Sequence, residues 1–237
     1  MSKMVPNILK RKRKESYGYL VAREDKMSFV TESFQKLVLN LEYANVDNQY
    51  KVIQFTSTLQ AEGKTTLFAN IAYLLADKGK KVVVLDLDLR RPKLNRVFSE
   101  INKDGITDYL AGKITYEQLL RVSEDGIYYM VAGEKTTAVI NLLESKKLEE
   151  LINKLKEDFD YVLLDTPPVL AVADTLIINK ISDGVIFVVG FGKAKKALVR
   201  DAFHALERNN AKIIGIGFTQ VKMTNGVYGY KYSYKYD

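Results

Sequence analysis

The chain has 237 residues, 47% of them hydrophobic, with no cysteine, a single histidine and a formal net charge of +7. That length suits one substantial α/β domain rather than two. Disulfides and cysteine-ligated metals are excluded, and the lone imidazole of His204, set in a helix-like stretch, cannot build a histidine metal cluster.

Residues 1–27 lack sustained periodicity and read as an arm. It carries Lys10, Arg11, Lys12, Arg13 and Lys14 in one unbroken run. Such a run is either a solvated segment or an electrostatic anchor near an acidic membrane surface. No apolar segment with a small-residue cleavage site follows it, as a secretory signal requires. The longest apolar runs, such as residues 185–191, fall far short of the roughly 20 residues that span a bilayer. The expected location is cytoplasmic.

From residue 28 to 44, Phe34, Leu37, Val38 and Leu41 recur at helical spacing and predict an amphipathic helix. Strand-like runs follow at residues 52–56, 81–85, 127–131, 161–164, 184–190 and 212–218. Helical stretches separate them, among them residues 65–78, with Phe68, Ile71, Leu74 and Leu75 on one side, and residues 142–159. Short apolar runs alternating with helices predict an α/β fold with a mostly parallel central sheet flanked by helices on both faces. Ligands of such sheets bind at the carboxyl ends of the strands. Residues 28–223 form the expected domain, and residues 224–237, polar and rich in glycine and tyrosine, the expected tail.

The first strand runs into Ser57-Thr58-Leu59-Gln60-Ala61-Glu62-Gly63-Lys64-Thr65-Thr66, and a helix follows at once. Backbone N–H groups of such a loop cradle phosphates, Lys64 supplies positive charge for the β- and γ-phosphates, and the Thr65 hydroxyl can ligate Mg²⁺. Thr58 stands where the motif usually has its first glycine. This makes the expected fold P-loop NTPase-like, and two further features support the site. Residues 82–85 lead to Asp86-Leu87-Asp88-Leu89-Arg90, and residues 161–164 lead to Asp165-Thr166-Pro167-Pro168. Acids at strand ends are costly unless a cation meets them, and Mg²⁺ beside phosphates is the natural one.

These three segments, with Tyr228, Tyr230, Tyr232, Tyr234 and Tyr236 repeating every second residue, resemble the bacterial tyrosine kinases of capsule and exopolysaccharide export systems. The likeness extends from about residue 31 to the C-terminus. It implies an ATP- and Mg²⁺-dependent kinase. Lys64 and the loop residues Ala61, Glu62, Gly63, Thr65 and Thr66 would bind the nucleotide together with Arg90. Thr65, Asp88 and Asp86 would hold the metal, and Asp86 would accept the proton of an incoming tyrosine hydroxyl. Asp165 would act through metal-bound water, and the five tail tyrosines would be acceptors. The resemblance also implies a membrane-spanning polysaccharide co-polymerase adaptor that recruits the enzyme to the inner face of the membrane, and a cognate tyrosine phosphatase.

The chain departs from the family at Ala61, often glycine, and at residues 136–139, where a proline-rich segment is usual. It departs again at Gln35 and Val38, where an oligomerisation motif has arginines; either self-association is weaker and less salt-sensitive, or Val38 simply enlarges the helix's core-facing stripe. The competing readings are a Min- or Par-type positioning ATPase, whose signature lysine is replaced here by Leu59, and a nucleotide-binding regulatory pseudokinase. Nothing beyond net charge and the basic run points to nucleic acid.

Overall fold

The valine-, isoleucine- and leucine-rich runs become strands because both of their faces are covered. In the computed structural model, which describes residues 19–46 and 50–221, seven strands form one sheet. They are β1 (Val52–Ser57), β2 (Val82–Asp86), β3 (Arg121–Val122), β4 (Tyr128–Met130), β5 (Tyr161–Asp165), β6 (Gly184–Gly190) and β7 (Ile213–Thr219). Their order is β3-β4-β2-β5-β1-β6-β7, and every pairing is parallel except that of β3 with β4. β3, two residues long on the sheet's edge, carries too little pattern to be read from sequence.

Successive side chains alternate between two cores. Ile53, Phe55, Val84, Leu163 and Val188 pack under the helices Phe29–Ala44 and Lys64–Asp77. Val52, Val83, Leu85, Val162 and Leu164 pack under the helix Lys146–Asp158, and Val185 and Phe187 under the helix Lys196–Arg208. Each such buried side chain contributes roughly 1.5–3 kcal/mol. The long helices are needed on both faces because a parallel strand leaves no solvent side.

Two local features differ from the sequence reading. The helical stretch at residues 142–159 is two helices, Val139–Leu143 and Lys146–Asp158. The break falls at Ser145, which is extended and whose side chain accepts a hydrogen bond from Leu148 N at 3.2 Å, the usual work of a serine N-cap. The ordered fold also begins before residue 28. Leu20 and Ala22 are buried, the helix Val21–Glu24 lies against the core, and Ala22 N donates to Asn70 Oδ1 at 2.8 Å. Val38, read from sequence on the apolar stripe of its helix, is 1% exposed and belongs to the core, so that position faces inward, whereas Gln35 is exposed.

No helix among the described residues is long and apolar enough to cross a membrane. The basic run at residues 10–14 and the tail tyrosines Tyr228, Tyr230, Tyr232, Tyr234 and Tyr236 lie outside the described residues.

Candidate active site

At the carboxyl end of β1 the chain turns through a tight loop and enters the helix Lys64–Asp77. The turn requires left-handed backbone at Ala61 (φ 61°) and at Gly63 (φ 78°). Alanine in that region costs about 1–2 kcal/mol, which explains why glycine is common at its position. A Cβ on Gly63 would stand 3.0 Å from Thr219 Oγ1, so the residue is small for room as well as for its φ.

The Glu62 carboxylate is 1% exposed and braces the loop. It accepts from Leu59 N at 2.8 Å and from Gly190 N at 3.4 Å. The end of β7 holds the loop from the other side: Thr219 Oγ1 donates to Glu62 O, and Gln220 Nε2 donates to Ala61 O at 2.8 Å. Thr58, buried, has no hydrogen-bond partner for its hydroxyl among the described residues.

Lys64, at the first turn of the helix, pairs with Asp165 at the end of β5, and Thr65 Oγ1 donates to the other oxygen of that carboxylate at 3.2 Å. Asp86 closes β2 in register with Asp165. It is fully buried: Lys93 N and Leu94 N each donate to its Oδ2 at 2.9 Å, and Asp88 N donates to Oδ1 at 3.2 Å. Burial, and after it the Asp165 charge, push Asp86 up to about 7 against the opposing pull of those N–H groups and of Lys64. Asp88 is also raised, by burial first, with Lys64 pulling it back.

Arg90, expected at the nucleotide, is turned to Asp174 instead. Its Nε donates to Oδ2 at 2.7 Å and its Nη2 to Oδ1 at 3.1 Å, and this fork raises the guanidinium further. Asp174 is wholly buried in the first turn of the short helix Asp174–Ile178. The fork ties the acidic loop after β2 to the segment after β5.

A cleft of about 420 Å³ opens over the loop. Among the expected site residues it brings together Ala61, Glu62, Gly63, Lys64, Thr65, Thr66, Asp88 and Asp165 on its walls, and leaves out Asp86 and Arg90. Sequence reasoning missed Tyr19, Arg91, Lys93 and Gln220, which also line it. Arg91 and Lys93 directly follow the acidic motif and were open to notice; Tyr19 carried no signal, because it falls in the stretch read as an arm. The arrangement offers a phosphate-sized nest of backbone N–H groups at a helix N-terminus, a lysine, a hydroxyl and oxygen ligands on one surface.

Residues 50–198 match the AAA domain family. The chain is 34% identical over 213 residues to the tyrosine-protein kinase YwqD of Bacillus subtilis (strain 168), covering 89% of this chain and 90% of that protein. It superposes on the kinase domain of the Escherichia coli tyrosine kinase ETK with a TM-score of 0.83 at 25% identity, covering 94% of this chain and 88% of that one. It is also 28% identical over 200 residues to the succinoglycan biosynthesis transport protein ExoP of Rhizobium meliloti (strain 1021), covering 83% of this chain and 25% of that longer protein.

Proposed function

The chain belongs to the bacterial tyrosine-protein kinases, and from that premise we propose that it transfers the γ-phosphoryl group of ATP to the tyrosines of its own C-terminal stretch and thereby regulates capsular or exopolysaccharide synthesis and export. The observation that carries this reading is the meeting of Lys64, Thr65 and Asp165 at a helix N-terminus, with Asp88 on the same cleft.

The loop amides and Lys64 grip the β- and γ-phosphates, and the helix N-terminus adds favourable potential for their charge. Lys64 exchanges Asp165 for phosphate when nucleotide binds. Mg²⁺ prefers a hydroxyl and one or two carboxylates together with phosphate oxygens, and Thr65, Asp88 and Asp165 present that all-oxygen set on the cleft. Bound there, the ion would neutralise charge on the phosphates. Asp86 stands behind this group, and its metal-binding role is at most indirect because three backbone N–H groups already occupy it.

Phosphoryl transfer needs in-line geometry and a place for the phenolic proton, since a tyrosine of pKa ≈ 10 is protonated at neutral pH. Asp86 is the proposed acceptor. A carboxylate raised to about 7 is matched to that task, and its Oδ1, with a single long hydrogen bond, is the less committed oxygen. Arg90 serves as a positioning residue through Asp174.

Tyr228, Tyr230, Tyr232, Tyr234 and Tyr236 are the proposed acceptors, used largely between molecules. The intervening lysines Lys231 and Lys235 draw the segment to an acidic, nucleotide-bearing site. Each phosphate then adds about −1.5 to −2 charges and weakens that attraction, which makes the reaction self-limiting. A membrane-spanning polysaccharide co-polymerase adaptor and a cognate tyrosine phosphatase are the proposed partners, with the enzyme recruited to the inner face of the membrane.

The test mixes a Lys64→Met chain bearing an intact tail with an active chain whose five tail tyrosines are phenylalanine. Phosphate on the inactive partner's tail is the expected result. Its absence, with normal tail labelling in the unmodified chain alone, rejects transfer between molecules, and no phosphotyrosine in the unmodified chain rejects the whole reading.

A further inference from the structure

Tyr19 lines the same cleft as Lys64, Asp88 and Asp165. Its place there is built, not incidental. Asn70, wholly buried in the helix that begins at Lys64, donates through Nδ2 both to Tyr19 O and to Thr66 O, the latter at 2.7 Å, while its Oδ1 accepts from Ala22 N at 2.8 Å. Leu20 is buried between these two anchor points. One side chain thus fixes the backbone of Tyr19 to the helix that cradles the phosphates.

The side chain itself is left half-buried. Its hydroxyl has no hydrogen-bond partner among the described residues. Other tyrosines vary: Tyr129 donates its hydroxyl to Glu100 Oε1 at 3.2 Å, Tyr161 accepts from Asn45 Nδ2 at 3.5 Å, and Tyr116, packed against the core, buries a hydroxyl that has no partner among the described residues. What sets Tyr19 apart is its place: a half-exposed phenol, committed to no partner among the described residues, on a backbone held at the wall of a phosphate cleft.

We propose that Tyr19 is a further phosphoacceptor, modified by the active site of its own molecule. This rests on the kinase reading above. In the step, the phenolic oxygen of Tyr19 bonds to the γ-phosphorus of ATP as the bond from that phosphorus to the β,γ-bridging oxygen breaks. ADP leaves, and the phenolic proton passes to a cleft carboxylate. The product has company: Arg91 and Lys93 line the same cleft and meet the new phosphate's charge. The anchoring through Asn70 makes the transfer intramolecular, because Tyr19 cannot reach a neighbour's cleft while its backbone is held at its own.

The experiment uses the full chain with all five tail tyrosines changed to phenylalanine, beside the unmodified chain, each incubated with ATP and Mg²⁺ at enzyme concentrations spanning a wide dilution. Phosphopeptides are mapped by mass spectrometry with fragment ions that separate Tyr17 from Tyr19. The expected result is phosphate on Tyr19 at a rate per molecule that dilution leaves unchanged, with no label at that position in the Tyr19→Phe version of the same chain. Tail phosphotyrosine in the unmodified chain with Tyr19 unlabelled in both overturns this inference and leaves the kinase reading standing. Label on Tyr19 at a rate that falls in proportion to dilution overturns its intramolecular character. Absence of phosphotyrosine from the unmodified chain altogether overturns the kinase reading and this inference with it.

Discussion

The two rims of the sheet both carry aspartates, yet they use them in opposite ways. At the amino ends of the strands, Asp183 accepts from Lys51 N at 3.0 Å and Val52 N at 2.7 Å at the start of β1, and from Lys156 Nζ at 2.9 Å. Asp160, exposed, accepts from Lys81 N at 2.8 Å just before β2. At the carboxyl ends, Asp86 and Asp165 sit side by side on β2 and β5, nearly devoid of solvent, with Lys64 as the cation between sheet and loop. At the first rim the N–H groups at the strand starts meet the carboxylates directly; at the second the strands end in carbonyl oxygens, so Asp86 draws its N–H donors from the loop after β2, and Asp165 relies on Lys64 and Thr65. Two acids side by side there still depend on a cation or a proton to offset their charge. Stability is made at the amino rim, and reactivity at the carboxyl rim.

The largest test of that division removes the cation. Lys64→Met should lower tail phosphorylation by at least about 100-fold, as loss of a charge-stabilising donor does at other phosphate and oxyanion sites. Unchanged labelling by the purified variant would show that the carboxyl rim works without it.

Asp86→Asn comes next, with an expected loss in kcat of roughly 10²-fold or more and a smaller change in ATP affinity. With Asp86 raised to about 7, the competent, unprotonated form dominates above that pH. The pH profile of kcat/KM should then fall by about tenfold per unit as pH drops below 7 in the native enzyme, and this limb should vanish in Asp86→Asn. If the limb survives there and disappears in Asp88→Asn, the two aspartates exchange roles.

Asp183→Ala probes the opposite rim. It strands two backbone N–H groups and should cost about 1–3 kcal/mol in urea denaturation while leaving kcat unchanged. A drop in kcat comparable to that of Asp86→Asn would erase the distinction between the rims. The smallest effect is expected from Gln220→Ala, which removes one hydrogen bond to the loop. ATP binding measured by titration calorimetry should weaken by about 0.5–1.5 kcal/mol, and no change would mean that Thr219 alone keeps the loop in shape.

Most of the sheet was legible because parallel strands announce themselves: residues 82–85 and 161–164 are unbroken apolar runs ending in an acid, and all of them are buried. Lys64 and Thr65 were legible for the same local reason, a strand, a loop and a helix in immediate succession. What stayed hidden depends on contacts between distant segments. Arg90 looked like a nucleotide ligand because its partner, Asp174, lies 84 residues away on a helix with no distinguishing pattern. Tyr19 and Asn70 meet across 51 residues through one amide. Val38 was visible as part of a helical stripe, but only its burial separates a core residue from a lost contact surface.

The clasp between β7 and the phosphate loop sets where the chain can be shortened. A truncation after Val221 removes all five tail tyrosines and leaves both Thr219 Oγ1 to Glu62 O and Gln220 Nε2 to Ala61 O intact. One that stops at Phe218, only three residues earlier, strips both bonds from a loop that already holds Ala61 in left-handed backbone. The minimal catalytic unit therefore ends at Gln220, and a trimmed enzyme tested on added peptide substrates must keep that residue for its loss of activity to report on missing acceptors rather than on a slackened loop.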